Sequence, residues 1–214
     1  MPHSHVDIDP AILYFGTPVV LLSTVDADGR PNLAPMSSAF WLGHTAVLGM
    51  GMRSQTASNL LATGEVVMNL PSVAQVDAVD RLALTTGRDP VPAAKQQVGY
   101  RHAADKFALA GLTAVPSTTV APPRVAECPV SLEGRVTAVH PLNVDDPAEA
   151  GSASVFEVTV TRVHVHPGIQ DAANPNRIDP LRWRPLIMSF QKFFGLSDQV
   201  HPSRLATIDE EWYR

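Results

Sequence analysis

Residues 51–60 combine a cation, two hydroxyl groups and the predicted start of a helix. The apolar run at residues 45–50 predicts a strand that leads directly into Arg53, Ser54 and Thr56. The first N–H groups of a helix have no partner within the helix, and with the helix dipole they favour a bound anion. Arg53 would add a bidentate cation. The segment therefore predicts a phosphate site. The alternative is that Ser54 only caps its own helix and Arg53 lies in solvent.

A second stretch, residues 31–38, offers a place for a flat ligand. Pro31 and Pro35 cannot donate to a strand ladder, so this arm is predicted at a sheet edge or facing a ligand. The small residues Ala34, Ser37 and Ser38 would let another flat object lie close to the backbone. The alternative is a poorly formed edge strand that faces solvent.

The remaining chemically capable residues give weaker patterns. His102 falls in a predicted short helix, residues 100–107, from which it could reach a cofactor or an anionic substrate, or simply lie on the surface. His164 and His166 would leave the same face of a strand, but no third ligand has comparable spacing, so no metal site is expected. Cys128 has no neighbouring cation and is predicted to be a buried, unreactive thiol. Hydrolase, kinase and dinucleotide fingerprints are missing from the sequence.

The bulk composition limits the classes of partner. The chain has 214 residues, 45% of them hydrophobic, and a net charge of −5, which suits one sizeable core. It has no basic block, which argues against nucleic acid or an anionic membrane as a partner. The first ten residues lack a signal-peptide pattern, and no apolar run approaches the roughly 20 residues needed to cross a bilayer. A soluble cytoplasmic protein is expected.

The elements that must position these residues are mainly strands. Apolar or alternating runs predict strands at residues 19–25, 45–50, 65–70, 130–140 and 155–165, and residues 26–30 predict a hairpin turn before the 31–38 arm. The first of these runs has no polar face, so we expect it to be covered on both sides. This succession favours a closed or partly closed antiparallel barrel over a doubly wound parallel sheet.

Short helices are predicted in the connections. Residues 54–63 predict a helix with Ala57, Leu60 and Leu61 inward and Gly64 as its C-terminal cap. Residues 72–86 also have helical spacing, and residues 87–98 predict a loop. The unusually apolar residues 182–195 need a surface to cover, either the barrel or a partner subunit.

A series of motifs follows in order across about residues 12–166. The motifs are residues 18–25, Asp28-Gly-Arg-Pro-Asn32, Ala34-Pro-Met-Ser37, Arg53-Ser-Gln-Thr-Ala-Ser-Asn59, residues 64–71, Asp105-Lys-Phe107, Ala110-Gly-Leu-Thr113 and residues 123–133. Together they resemble the flavin reductase family, with its FMN-binding split barrel. The resemblance implies a Greek-key antiparallel split β-barrel in residues 1–170, and a C-terminal extension in residues 171–214 that packs on the barrel or on a dimer partner.

The resemblance also implies a cofactor site. The flavin phosphate would lie at Arg53, Ser54 and Thr56, the segment already predicted from its own residues. Ser37 and backbone N–H groups would hydrogen-bond the N5 and O4 edge of the flavin. The full implied set is Asn32, Ala34, Pro35, Met36, Ser37, Ser38, Met52, Arg53, Ser54, Thr56 and Asn59.

The implied reaction is hydride transfer from NADH or NADPH to the N5 atom of FMN, with His102 on the nicotinamide side. A flavin-dependent monooxygenase is the expected recipient of the reduced flavin, and a homodimer is expected because family members are typically homodimers. Two other readings stay open. One is an FMN-binding electron carrier that does not use nicotinamide directly, and the other is an FMN enzyme that acts on an organic substrate.

Overall fold

The computed structural model describes residues 4–213, and this part of the chain is built mainly from strands. None of its helices is long and apolar enough to cross a bilayer. The α-helices are α1 (Gln55–Thr63), α2 (Val76–Arg81), α3 (Ala93–Gln97) and α4 (Lys106–Ala110). The strands are β1 (Phe15–Pro18), β2 (Val20–Val25), β3 (Pro31–Met36), β4 (Ala39–Leu42), β5 (Thr45–Gly51), β6 (Glu65–Leu70), β7 (Thr85–Thr86), β8 (Arg101–His102), β9 (Ala114–Val115), β10 (Arg124–Val125), β11 (Val130–Pro141), β12 (Ala153–Val165), β13 (Leu186–Ser189) and β14 (Lys192–Gly195).

Seven strands form the main sheet in the order β3-β2-β6-β11-β12-β5-β4, and every pair in it is antiparallel. Strands far apart in the sequence, such as β5 and β12, are neighbours in this order, as in Greek-key barrels. The edge strands β3 and β4 do not pair with each other, so the barrel is open on one side. The predicted mainly β split barrel is confirmed.

Strand β2 lies between two hydrophobic clusters, and all six of its residues are buried. Successive side chains of a strand point to opposite faces. Leu21 therefore joins one cluster, with Val79 and Phe107 from the helices, whereas Leu22 joins the other, with Phe156 from β12. The prediction of a strand covered on both sides is confirmed, and its lack of a polar face follows from this position.

Helix α1 begins and ends where its capping residues predict. The Ser54 hydroxyl accepts a hydrogen bond from the Ala57 N–H, and Gly64 adopts the left-handed conformation with φ 67°. Leu60 is buried, but Leu61 is 59% exposed, so its predicted inward position is wrong. The buried residues 56, 57, 59 and 60 span about 160° of the helix circumference, and residue 61 lies about 40° beyond residue 57, outside that arc.

Residues 72–111 differ most from the sequence prediction. The predicted helix at 72–86 is a 3₁₀ turn followed by the short α2, and it ends because Leu84 adopts φ 53° and the chain enters β7. The predicted loop at 87–98 contains α3. The predicted helix at 100–107 was wrong in its first half, because β8 pairs with β7 in parallel and carries His102 in a strand.

The apolar C-terminal segment forms a hairpin that packs on the barrel. Strand β13 pairs with both β1 and β14, and the turn between β13 and β14 places Phe190 and Gln191 at positive φ. Leu186 is buried in the same cluster as Leu21. Residues 196–212 follow with exposed side chains. The division of the chain at residue 170 stays a prediction.

Candidate functional site

The site is built around the start of α1, where β5 delivers Arg53 and Ser54. The Ser54 oxygen is 3.0 Å from the Ala57 nitrogen and caps the helix, and its hydroxyl hydrogen remains available to a ligand. Arg53 is exposed and makes no hydrogen bond or ion pair within residues 4–213. It lines an opening of about 490 Å³ together with Lys95 and Glu149. Both readings of this helix start, a capping serine and an anion site, are thus compatible with one geometry.

A buried polar network lies beneath the same helix. The Asn32 amide donates to the Thr56 hydroxyl at 3.2 Å, and the Asn59 amide donates to Thr24 at 2.9 Å. Gln55 donates to the Asn59 side-chain oxygen at 2.7 Å. These bonds tie α1 to strands β2 and β3. The Asn32 side-chain oxygen is also buried, yet it has no hydrogen-bond partner in the described chain. A buried acceptor without a partner is costly, and a ligand N–H would remove that cost.

The small-residue arm continues from this network along β3. Ala34 and Pro35 line a cavity of about 170 Å³ that Ser54, Thr56 and residues 82–87 also line. Beyond it, Pro35, Met36 and Ser37 line a pocket of about 200 Å³ whose other walls are apolar. The first opening shares Ser54 and Lys95 with the middle cavity, and the middle cavity shares Pro35 and Ala83 with the last. We call these three adjoining cavities the trough.

The trough brings together most, but not all, of the predicted cofactor residues. Ser38 turns to Tyr14, with 3.2 Å between the two hydroxyl oxygens. Met52 packs against the barrel core, and Asn59 lines a neighbouring cavity. The residues that do line the trough are Asn32, Ala34, Pro35, Met36, Ser37, Arg53, Ser54 and Thr56. Their roles toward a cofactor stay predictions.

Three cations close to α1 were missed by sequence reasoning. Arg88 donates to the Ser58 hydroxyl, and at 3.4 Å to the Ser54 carbonyl oxygen, so it braces the helix start. Lys95 and Lys106 line the middle cavity, where burial and then repulsion from a neighbouring cation lower the pKa of each, that of Lys106 to about 8. A signal was present: Lys106 directly precedes four apolar residues, of which Phe107 and Ala110 pack inward.

His102 lies outside the trough, in a neighbouring cavity that Pro31 and Asn32 also line. Its Nδ1 atom is 3.1 Å from the Arg88 carbonyl oxygen, and the His102 side chain lines a space of about 410 Å³. That space adjoins the trough through Asn32, Gln55 and Gly87. His102 is thus on a strand next to the trough, and its role on the nicotinamide side stays a prediction.

The other candidates take structural positions. Cys128 is buried, and burial followed by the Glu127 charge raises the pKa of its thiol. His164 lies 2.6 Å from Glu133, and His166 lies 2.9 Å from the Ala126 carbonyl oxygen. Within residues 4–213 no group of three or more His, Cys, Asp or Glu residues could hold a metal ion.

Comparison with known protein sequences identifies the family to which this chain belongs. The model of the flavin reductase like domain matches residues 12–197. The uncharacterized protein YdfE of Bacillus subtilis (strain 168) is 35% identical over 194 residues, which is 91% of this chain and 90% of that protein. The chain therefore belongs to the flavin reductase like family. In class it is a flavin-linked oxidoreductase.

Solved structures show the same fold at lower sequence identity. Flavoredoxin of Desulfovibrio vulgaris (Miyazaki F) superimposes with a TM-score of 0.75 at 20% identity, covering 96% of this chain and 100% of that chain. Nitrilotriacetate monooxygenase component B from Bacillus cereus gives a TM-score of 0.72 at 18% identity, covering 94% and 100%. Both similarities concern the fold.

Proposed function

We propose that this chain is an FMN-dependent NAD(P)H:flavin reductase. The observation that carries the proposal is the trough, which runs from a helix start with a free cation to a small-residue arm. Its composition fits FMN, because one end offers Arg53 and Ser54 to a phosphate and the middle offers space beside Ala34 and Pro35 to a flat ring. The orphan Asn32 oxygen adds an acceptor that a ring N–H would satisfy.

When bound, the flavin supplies the redox chemistry, accepting a hydride from the C4 atom of NADH or NADPH at its N5 atom. The protein then has to hold the two rings at near-attack distance, roughly 3–3.5 Å, and needs no general acid or base for that step. In this proposal Arg53, Ser54 and Thr56 hold the phosphate, and Ser37 with backbone N–H groups orients the N5 edge. His102 lines the adjoining cavity, from which it would contact the nicotinamide nucleotide.

The proposed recipient of the reduced flavin is a flavin-dependent monooxygenase. Support comes from the similarity in fold to a protein described as the B component of nitrilotriacetate monooxygenase. We also propose a homodimer. Phe40 and Leu42 on the edge strand β4, and Phe194 on β14, are more than half exposed, and a second copy of the chain would cover such apolar groups.

An anaerobic titration tests the reductase. The purified protein is saturated with FMN, and NADH or NADPH is added while the flavin absorbance is recorded. We expect rapid bleaching by at least one of the two nucleotides. Bound FMN that neither nucleotide bleaches would refute the reductase and favour the electron carrier, whereas a protein that binds no FMN would refute the cofactor as well. An FMN enzyme for an organic substrate would bleach only when that substrate is added.

A further inference from the structure

Lys106 is a buried cation without a counter-ion in the middle of the trough. It is 5% exposed, and it makes no hydrogen bond or ion pair within the described part of the chain, residues 4–213. It is also the first residue of α4, where the positive end of the helix dipole disfavours a cation. Burial and the nearby Lys95 lower its pKa to about 8. Burying an unpaired positive charge costs free energy, and a ligand of opposite charge would offset that cost.

The walls around Lys106 carry positive charge and no negative charge. Lys95 lines the same cavity, two of the three lysines in the sequence thus facing one space, and no Asp or Glu is among the described residues that line it. Lys95 also borders the Arg53 opening and lies over the Tyr100 ring, at 5.2 Å from its centroid. Lys106 borders only the middle cavity, beside Ala34 and Pro35. It therefore lies at the part of the trough assigned to the ring and outside the Arg53 opening, in a cavity that Ser54 and Thr56 also line.

We propose that Lys106 is the counter-ion of the reduced flavin ring, an assignment that rests on the proposed function. The oxidised ring is neutral. A hydride brings one proton and two electrons, so the reduced ring carries one negative charge while the nicotinamide leaves as the oxidised cation. A protonated Lys106 meets that new charge in a cavity without acids, and this makes the protein bind reduced FMN more tightly than a site without the cation.

The test is the reduction potential of bound FMN, measured anaerobically against a reference dye in the full-length protein. K106M removes the charge and keeps a long apolar side chain, K106R keeps the charge, and K192M removes the exposed lysine of β14 as a control. In K106M we expect the ratio of the affinities for reduced and oxidised FMN to fall about tenfold. This corresponds to a fall of about 30 mV in the reduction potential of bound FMN, a two-electron couple. K106R and K192M should match the wild type. If K106M does not fold, K106Q carries the same test.

Binding titrations separate the possible failures. If Lys106 holds the phosphate instead, K106M weakens oxidised and reduced FMN equally, leaves the potential unchanged and does not weaken riboflavin, which has no phosphate. That result overturns the inference and leaves the reductase intact. An unchanged potential with unchanged affinities also overturns it. Wild-type protein that binds neither redox form of FMN refutes the proposed function, and the inference with it.

Discussion

Replacing Glu133 by Gln should remove one of the strongest polar anchors in the barrel. Glu133 is fully buried on β11, and its two carboxylate oxygens accept hydrogen bonds from the backbone N–H groups of Thr118 and Thr119 at 2.8 and 2.6 Å. The Thr119 hydroxyl donates to it at 2.6 Å, and His164 lies 2.6 Å away on β12. The carboxylate thereby fastens the loop before β10 to the two longest strands of the sheet.

The size of the effect follows from the protonation of Glu133. Burial alone would raise its pKa, but the hydrogen bonds from Thr119, Thr118 and His164 outweigh burial and lower the pKa from 4.5 to about 2. At about 1.4 kcal/mol per pKa unit, this difference corresponds to about 3 kcal/mol of folding free energy. Because the folded-state pKa is the lower one, this stabilisation is fully present above 4.5 and is lost as the pH falls toward 2.

Urea unfolding at neutral pH should show E133Q to be less stable than the wild type by about 2–4 kcal/mol, since an amide cannot accept all of these bonds. The difference should shrink as the pH falls from 4.5 toward 2, because Glu133 takes up a proton in the unfolded wild type at a higher pH than in the folded wild type. E157Q is the matched control: Glu157 lies 2.7 Å from His140 on the same pair of strands, but both side chains are exposed, so a loss below about 1 kcal/mol is expected. Equal losses for the two variants, or a difference independent of pH, would refute this reasoning.

The remaining predictions concern the trough and the chain end. R53A should weaken FMN binding by about 1.5–3 kcal/mol and leave riboflavin unaffected in fluorescence titrations, with the exposed Arg162→Ala as control; an unchanged FMN affinity would place the phosphate elsewhere. G87A should also weaken FMN binding, because a Cβ there would lie 2.6 Å from the Asn32 side-chain oxygen and displace it; wild-type affinity would show that this oxygen is not used. Truncation after Gly195 should keep the hairpin but weaken the dimer in light scattering, because it removes the exposed apolar side chains of Val200, Leu205 and Trp212, which a second copy would also cover; an equally stable dimer would contradict a role for residues 196–214.

Local signals predicted the parts of the fold that local interactions determine. The turn at residues 26–30 forms because the Asp26 carboxylate accepts the Arg30 N–H at 2.9 Å and Gly29 adopts φ 80°, both of which follow from neighbouring residue types. Helix α1 begins at a serine cap and ends at a glycine for the same kind of reason. Such elements need few long-range contacts, so the sequence pattern is sufficient to find them.

Residues 82–106 show where local reasoning fails. Leu84 takes a left-handed conformation that its residue type disfavours, and the two-residue strands β7 and β8 pair in parallel only because tertiary packing brings them together. This irregular segment carries Arg88, Lys95 and, at its end, Lys106 toward α1.

The consequence for the site is specific. The sequence indicates one cation, Arg53, and therefore a phosphate site that salt and solvent would screen, since Arg53 is exposed. The fold adds Lys106, which is buried and would be screened far less. An exposed arginine gives affinity for any phosphate ester, whereas a buried lysine beside the ring cavity responds to the charge of the ring. In the proposed function, the first property would hold the phosphate of the flavin nucleotide, and the second would make the trough prefer one redox state of that nucleotide.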